Sequence, residues 1–481
     1  MVASWVQEEM QGLDLNDERL NRRLEQLLSD LGDCPTLSIP AATGGHAEMT
    51  AAYRFFDNEK ASFEGILAPH RTCTRQRAQS EKAILLVSDT SELDLTRPSQ
   101  QVEDAGPLGT EARYGLHLHL MEAFTPDGTP LGEVWSKVWA RDEESLKISQ
   151  QAKRKTRKKA PIEEKESFRW LEGLRQAREF AEHCAGTTCM YVADSEADIY
   201  ELYAEDRGGT NPIHWVIRLC QDRALAWESE GWFVREQVKT ASVLLTKEIS
   251  VRGRETKVSC EKRQRRQPRT DRKAVVEVRA AAMTLRPPYR VGQKLPEATV
   301  NVVLVSEVNP PVDDVTVEWL LITTLPIATL EQVQTVIQYY SVRWMIEIVF
   351  RTLKSGCRVE KRRFENAKRV VACLAVYLIV TWRTLFVCRL SRSCPDMSCE
   401  ALFDPSEWKS VWMAVTREKP PKKPPGLALM VRMIAQLGGY VNRPNRGDPP
   451  GPQTVWLGIQ RMHDLAWAWN VFGPGASQKD V

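Results

Sequence analysis

The sequence predicts an α/β protein whose core sheet has parallel neighbours, carries a β-rich insertion, and is flanked by helical segments at both ends. Three observations carry this. Short apolar runs at 83–87 and 189–193 bracket a helix-periodic stretch at 163–184, the pattern of buried strands joined by a helix. Between about 222 and 315, Val, Thr and Arg alternate at the period of a strand. Helical periodicity fills the first seventy residues and returns from Leu330 to Leu390.

Taken in order, Leu20, Leu24, Leu27, Leu28 and Leu31 recur at helical spacing with Arg19, Arg22 and Arg23 beside them, and residues 51–56 form a second helix with aromatics turned inward. The run 83–87 is a strand ending in Ser88-Asp89-Thr90. Residues 116–120 and 131–139, separated by the turn Thr125-Pro126-Asp127-Gly128, form a hairpin. After the helix at 163–184 come the strand 189–193, again ending in an acid, Asp194, and a further strand at 214–219. The insertion carries a basic stretch at 262–269. A Pro/Lys-rich linker at 419–426 precedes a last helix containing Trp467 and Trp469.

Composition narrows the function classes. The 481 residues hold 66 Lys+Arg against 63 Asp+Glu, so the net charge of +3 does not announce a nucleic-acid partner. Residues 1–20 are amphipathic and acidic, which predicts no secretory signal. The most apolar stretch, 370–382, stops at Arg383, short of the roughly 20 residues a bilayer needs, and predicts a buried core helix. Eleven cysteines without a Cys-x-x-Cys pair argue for reduced thiols in a cytosol rather than zinc or disulfides.

Two patterns could carry chemistry. Asp89 and Asp194 each follow an apolar strand, where an open sheet lines its ligand crevice, although one such Asp alone is more often a strand terminator or helix cap. Tyr340, Arg343, Glu347 and Lys354 are offset by 3, 7 and 14 residues, so on one helix they fall within an arc of about 60°. This polar stripe crosses an otherwise apolar helix and faces either a cleft or a partner, or else closes on itself as an Arg343–Glu347 ion pair.

The spacing Tyr340-x2-Arg343-x3-Glu347-x6-Lys354 resembles the Tyr-Arg-Glu-Lys signature of bacterial cut-and-paste DDE transposases of the IS-four superfamily, most nearly those of the transposon-five type. Ser88-Asp89-Thr90, Asp194-Ser195-Glu196-Ala197-Asp198-Ile199 and Glu318-Trp319-Leu320-Leu321 extend the likeness, as do Ala52-Tyr53-Arg54-Phe55 and Ala435-Gln436-Leu437-Gly438-Gly439 near the two ends.

The resemblance implies a ribonuclease-H-like catalytic domain over about 73–372 with its insertion at about 222–315, a helical DNA-end-binding domain over 1–72 and a helical dimerisation domain over 373–481. Asp89, Asp194 and Glu347 would hold two Mg²⁺ ions, or Mn²⁺ in their place, with Asp89 shared between them. Carboxylates suit such hard cations, and two ions about 4 Å apart serve both the attacking and leaving oxygens of a phosphodiester. Tyr340, Arg343 and Lys354, with Arg351 and Arg218, would grip phosphates. Trp319 would stack on a flipped base during hairpin formation, and Arg19, Arg23 and Arg54 would contact the transposon end. The implied function is metal-dependent nicking, hairpin formation and resolution, and strand transfer into target DNA. A homodimer on paired double-stranded DNA ends would carry it out in the cytoplasm, at the nucleoid, with no membrane partner.

Other features are less specific. His117-x-His119 puts two rings on one strand face, which can bind metal but, without a third ligand nearby, is more often a packed or solvated pair. The basic runs at 153–159 and 262–269 are either solvated loops or phosphate contacts. Two rival functions stay open: a non-catalytic DNA-binding regulator of the same family, against which the three carboxylates argue, and a stand-alone nuclease, against which Trp319 and the C-terminal segment argue.

Overall fold

The computed structural model describes residues 2–109, 112–144, 160–226, 232–251, 253, 270–290, 292–312, 314–441 and 449–473. The basic runs at 153–159 and 262–269 lie outside them. In chain order the elements used below are α1 (Ser4–Glu9), α2 (Glu18–Asp33), α3 (His46–Asp57), α4 (Phe63–Gln79), β1 (Ala83–Asp94), β2 (Gly106–Pro107), β3 (Tyr114–Phe124), β4 (Pro130–Trp139), α5 (Phe168–Glu182), β5 (Thr188–Ala193), β6 (His214–Arg218), β7 (Leu245–Val251), β8 (Arg272–Leu285), β9 (Ala298–Glu307), β10 (Glu318–Thr323), α6 (Leu330–Val342), α7 (Trp344–Arg351), α8 (Ala367–Ser393), α9 (Pro405–Thr416), α10 (Leu427–Leu437) and α11 (Pro452–Phe472).

The chain divides into two compact units. The first comprises Met1–Ile84, Asp89–Ser149 and Trp344–Val481, and the second Leu85–Ser88 and Gln150–Arg343. The boundaries expected at 72 and 372 fall inside helices α4 and α8.

In the first unit, β2, β3 and β1 are neighbours and β4 pairs antiparallel with β3, Leu118 opposite Val138, as the predicted hairpin requires. Local chemistry sets the helix starts: Asp17 caps α2, Ser62 caps α4, Asn366 caps α8, and Pro405 opens α9 behind an Asp404–Glu407 capping box. The apolar run read at 370–382 is the middle of a longer helix, α8, with 27 residues. By length and composition it could cross a bilayer, but 83% of its most apolar window is buried. Val370 and the unbroken run from Ala372 to Trp382 are buried on every face, as in a core helix.

In the second unit the strand order is β1-β5-β6-β10-β9-β8-β7. β5 and β6 run parallel, Val192 beside Val216, as the buried apolar runs predict. The insertion does not form a detached subdomain. Its last strand, β9, pairs antiparallel with β10, which pairs antiparallel with β6, so the inserted strands prolong the core sheet. The fold is therefore the expected α/β class, a ribonuclease-H-like mixed sheet with added β strands and helical N- and C-terminal regions.

Three local departures matter for the site. β1 runs through Asp89 to Asp94 instead of stopping before it, so Asp89 stands within a strand and not at its end. The signature is not carried on one regular helix: α6 ends at Val342, Arg343 is its C-cap, α7 follows, and Lys354 lies in a π-helical turn over Thr352–Gly356, closed by the Cys357 N–H donating to the Thr352 carbonyl at 2.9 Å. The 60° arc thus does not apply across the four residues. Finally, His117 and His119 are buried, 3% and 0% exposed, packed on Trp139 and Trp135, with the Thr90 hydroxyl 2.8 Å from His119 Nδ1. They are the packed pair.

Candidate active site

The second unit gathers four of the predicted residues around a fifth, Tyr340. Asp194 directly follows β5, Arg218 ends β6, Trp319 lies on β10, and Tyr340 and Arg343 close α6, whose start is fixed by a Thr329–Gln332 capping box. Tyr340 is 5% exposed and its ring meets that of half-buried Trp319 edge-on, with centroids 5.3 Å apart. Burial raises the Tyr340 phenol above its usual range. The cations Arg343, which also hydrogen-bonds it, and Arg218 oppose that rise, and the Asp194 carboxylate adds to it. One phenol thus feels two guanidinium groups and a carboxylate drawn from three separate elements. Arg218 is further held by donating from Nη2 to the Glu318 carbonyl at 3.1 Å, the residue before Trp319.

The segment after β5 is densely acidic, and its ion pairing is selective. Glu196 pairs with Arg169 at 2.8 Å, Asp198 with Arg223, and Glu201 with Arg290 at 2.7 Å. Asp194 makes no ion pair among the described residues. It accepts the Glu196 backbone N–H at 2.8 Å, capping the short 3₁₀ turn Ser195–Ala197. The cap reading of Asp194 is therefore observed, and it leaves oxygen lone pairs over for a ligand.

The first unit holds the remaining residues. Asp89, 9% exposed on β1, accepts the Thr90 N–H at 2.7 Å. Lys354 is anchored to the same strand, donating to the Glu92 carbonyl and lying 3.6 Å from Glu360. Glu360 in turn accepts the Asp94 N–H at 2.9 Å. Glu347 is half-buried on α7, and Arg351 at the end of that helix is exposed. The two partners of Lys354 were not legible in the sequence, because neither Glu92 nor Glu360 lies in the signature spacing.

At the N-terminus, Arg19, Arg22 and Arg23 with Gln26 and Glu48 line an open hollow of about 560 Å³. Arg19 pairs with Asp17 at 3.0 Å, and Arg54 is exposed on α3. Among the described residues no group of three or more His, Cys, Asp or Glu side chains is arranged to hold a metal ion. The donor set that fits a hard cation is carboxylate oxygen, and Asp194, which forms no ion pair among the described residues, has oxygen lone pairs suited to it.

Comparison with known proteins divides the chain in three. Residues 2–61 match the family described as Transposase DNA-binding, residues 169–382 the Transposase DDE domain, and residues 379–469 the Transposase Tn5 dimerisation domain. A solved structure described as a cryo-EM structure of piggyBac transposase synaptic complex with hairpin DNA aligns at 9% identity and a TM-score of 0.30, over 68% of this chain and 53% of that one. This chain spans about half the length of that protein, and at such a score the likeness carries no argument.

Proposed function

We propose, from the premise that the chain belongs to the Tn5-type family of DDE transposases, that it is a cut-and-paste DNA transposase. It nicks transposon ends, forms and resolves a hairpin, and transfers the freed ends into target DNA, as a dimer on two double-stranded ends in the cytoplasm. What supports the reading above all is the convergence of Asp194, Arg218, Trp319, Tyr340 and Arg343 from four strands and helices of one unit.

Asp89, Asp194 and Glu347 would hold the divalent ions, Mg²⁺ or Mn²⁺, two per site. Such ions would supply the activation of a water or 3′ hydroxyl and the stabilisation of the leaving oxygen. The protein's own residues do the positioning. Arg343 and Arg218 bring positive charge to the place where a phosphate would enter, and the Tyr340 hydroxyl adds a donor beside them. Trp319 is only half-buried and its ring packs edge-on against Tyr340; in this reading it would stack on a flipped base. Lys354, secured to β1, supplies a further phosphate contact near Asp89 on the same strand. Arg351 is exposed and would serve the same purpose; Arg19 and Arg23 line a basic hollow that would meet the DNA end, and Arg54 is exposed on α3.

The test is end cleavage. Purified protein is mixed with DNA carrying the inverted repeats that flank its gene, with and without Mg²⁺. Mg²⁺-dependent nicks followed by hairpins at the repeat boundary are expected; binding without any metal-dependent cutting would instead establish a non-catalytic regulator.

A further inference from the structure

We propose that Asp198 is a positioning residue for this reaction, an inference that rests on the functional reading above. With Arg223 it bolts the segment that begins at Asp194 to the segment that follows Arg218. The Asp198 side chain is fully buried, and both of its oxygens are used. Oδ2 accepts the backbone N–H groups of Cys220 and Gln221 at 2.9 and 2.8 Å. Oδ1 accepts Arg223 Nε at 2.7 Å and the Tyr203 hydroxyl at 2.8 Å. Arg223 Nη2 also donates to the Asp198 carbonyl at 2.7 Å, and its guanidinium lies over the Tyr203 ring, 5.1 Å from the centroid. A second tie runs the other way, from the Cys220 thiol to the Ser195 carbonyl at 3.4 Å.

The placement gives these contacts their meaning. Asp194 is four residues before Asp198, across a single 3₁₀ turn that its own side chain caps. Arg218 is two residues before Cys220. The carboxylate therefore sets the distance between a residue assigned to the metal and a residue assigned to phosphate, although it is itself shut away from both. A buried carboxylate–guanidinium pair holding two loops is more costly to assemble than an apolar plug but far more directional, because every lone pair has an assigned donor. The Asp198 carboxylate reaches the strand-end loop beyond β6 directly, accepting two of its backbone N–H groups.

The experiment compares wild type, Asp198→Asn and Arg223→Lys in the full chain. Asp198→Asn keeps the shape but turns an amide donor toward Arg223, while Arg223→Lys keeps the charge with fewer contacts. Three quantities are read: binding to end DNA, hydrogen exchange over 194–199 and 219–223, and nicking rate against Mg²⁺ concentration. Expected for Asp198→Asn are end binding within about 3-fold of wild type, faster exchange in both segments together, nicking slowed about 100-fold, and half-saturating Mg²⁺ raised about 10-fold. Arg223→Lys should fall between the two, and it serves as the deciding variant if Asp198→Asn does not fold. Faster exchange with unchanged nicking and Mg²⁺ dependence would leave Asp198 a structural residue only and overturn the proposal, as would unchanged exchange. A wild-type protein that cuts nothing removes the functional reading itself, whatever the exchange data show.

Discussion

Trp319 and Tyr340 face each other edge-to-face, ring planes 71° apart, one from the last strand of the sheet to enter it in sequence and the other from the end of the helix that follows. Its neighbours Leu320, Leu321 and Ile322 are buried, whereas Trp319 is only half-buried.

Trp319→Ala should therefore nick its DNA end at close to the wild-type rate but form hairpins poorly. Base–aromatic stacking is worth about 1–3 kcal/mol, so hairpin formation should fall about 5- to 150-fold. Tyr340→Phe keeps the edge contact and loses only the hydroxyl, so it should weaken end binding and cleavage less than Tyr340→Ala. Denaturing gels that separate nicked from hairpin product measure both; a normal hairpin yield in Trp319→Ala would exclude the residue from that step.

Asp89→Ala, Asp194→Ala and Glu347→Ala should each slow Mg²⁺-dependent cleavage by at least about 10³-fold, equivalent to about 4 kcal/mol, while end binding in a gel-shift assay stays near wild type. Near-normal cleavage by any one of the three refutes its assignment.

Stability should decline as pH rises from about 5 to 8. Complete burial, with Glu133 beside it, raises the Glu122 carboxyl to about 8. Asp33 and Glu407 are pushed up to about 7, again chiefly by burial. The native state keeps these protons while the unfolded chain gives them up near 4, so between those values the unfolded state binds fewer protons and gains as pH increases. Glu122→Gln should raise the melting temperature by a few degrees at pH 8 and hardly change it at pH 5. Calorimetry across that range decides; an equal shift at both pH values would mean that Glu122 is not held protonated.

Trp467 and Phe472 stand 62% and 79% exposed on α11, with ring centroids 6.5 Å apart. If the C-terminal region dimerises the protein, the double variant Trp467→Ala/Phe472→Ala should bind one DNA end as a monomer and fail to pair two. Light scattering of the end complex reads this directly, and an unaltered paired complex places the interface elsewhere.

Much of this architecture was legible because it rests on local periodicity. The leucines of α2, the hairpin β3–β4 and the parallel pair β5–β6 each follow from residue spacing that burial enforces. Sequence pattern was less able to show where elements end or which strands meet. Ser88-Asp89-Thr90 reads as a terminator because polar residues interrupt the apolar run, yet pairing across a sheet carries β1 on to Asp94. Likewise the insertion looks separable in composition, and only the β9–β10 register reveals that it continues the sheet. At the site, residue types and order were readable from the signature, but Asp198 was hidden in plain view, since its partners Cys220, Gln221 and Arg223 lie more than twenty residues away.

The π-helical turn at Thr352–Gly356 holds one residue more than an α-helical path over the same rise would need. Deleting a single residue there would rewind the segment as ordinary helix, leaving what lies beyond it nearly in phase but turning the residues inside the turn, Lys354 among them, by roughly 100° about the axis. Lys354 would then lose its hold on the Glu92 carbonyl without any change in its chemistry. In this stretch the count of residues matters as much as their identity, so related chains should tolerate substitutions here more readily than gaps.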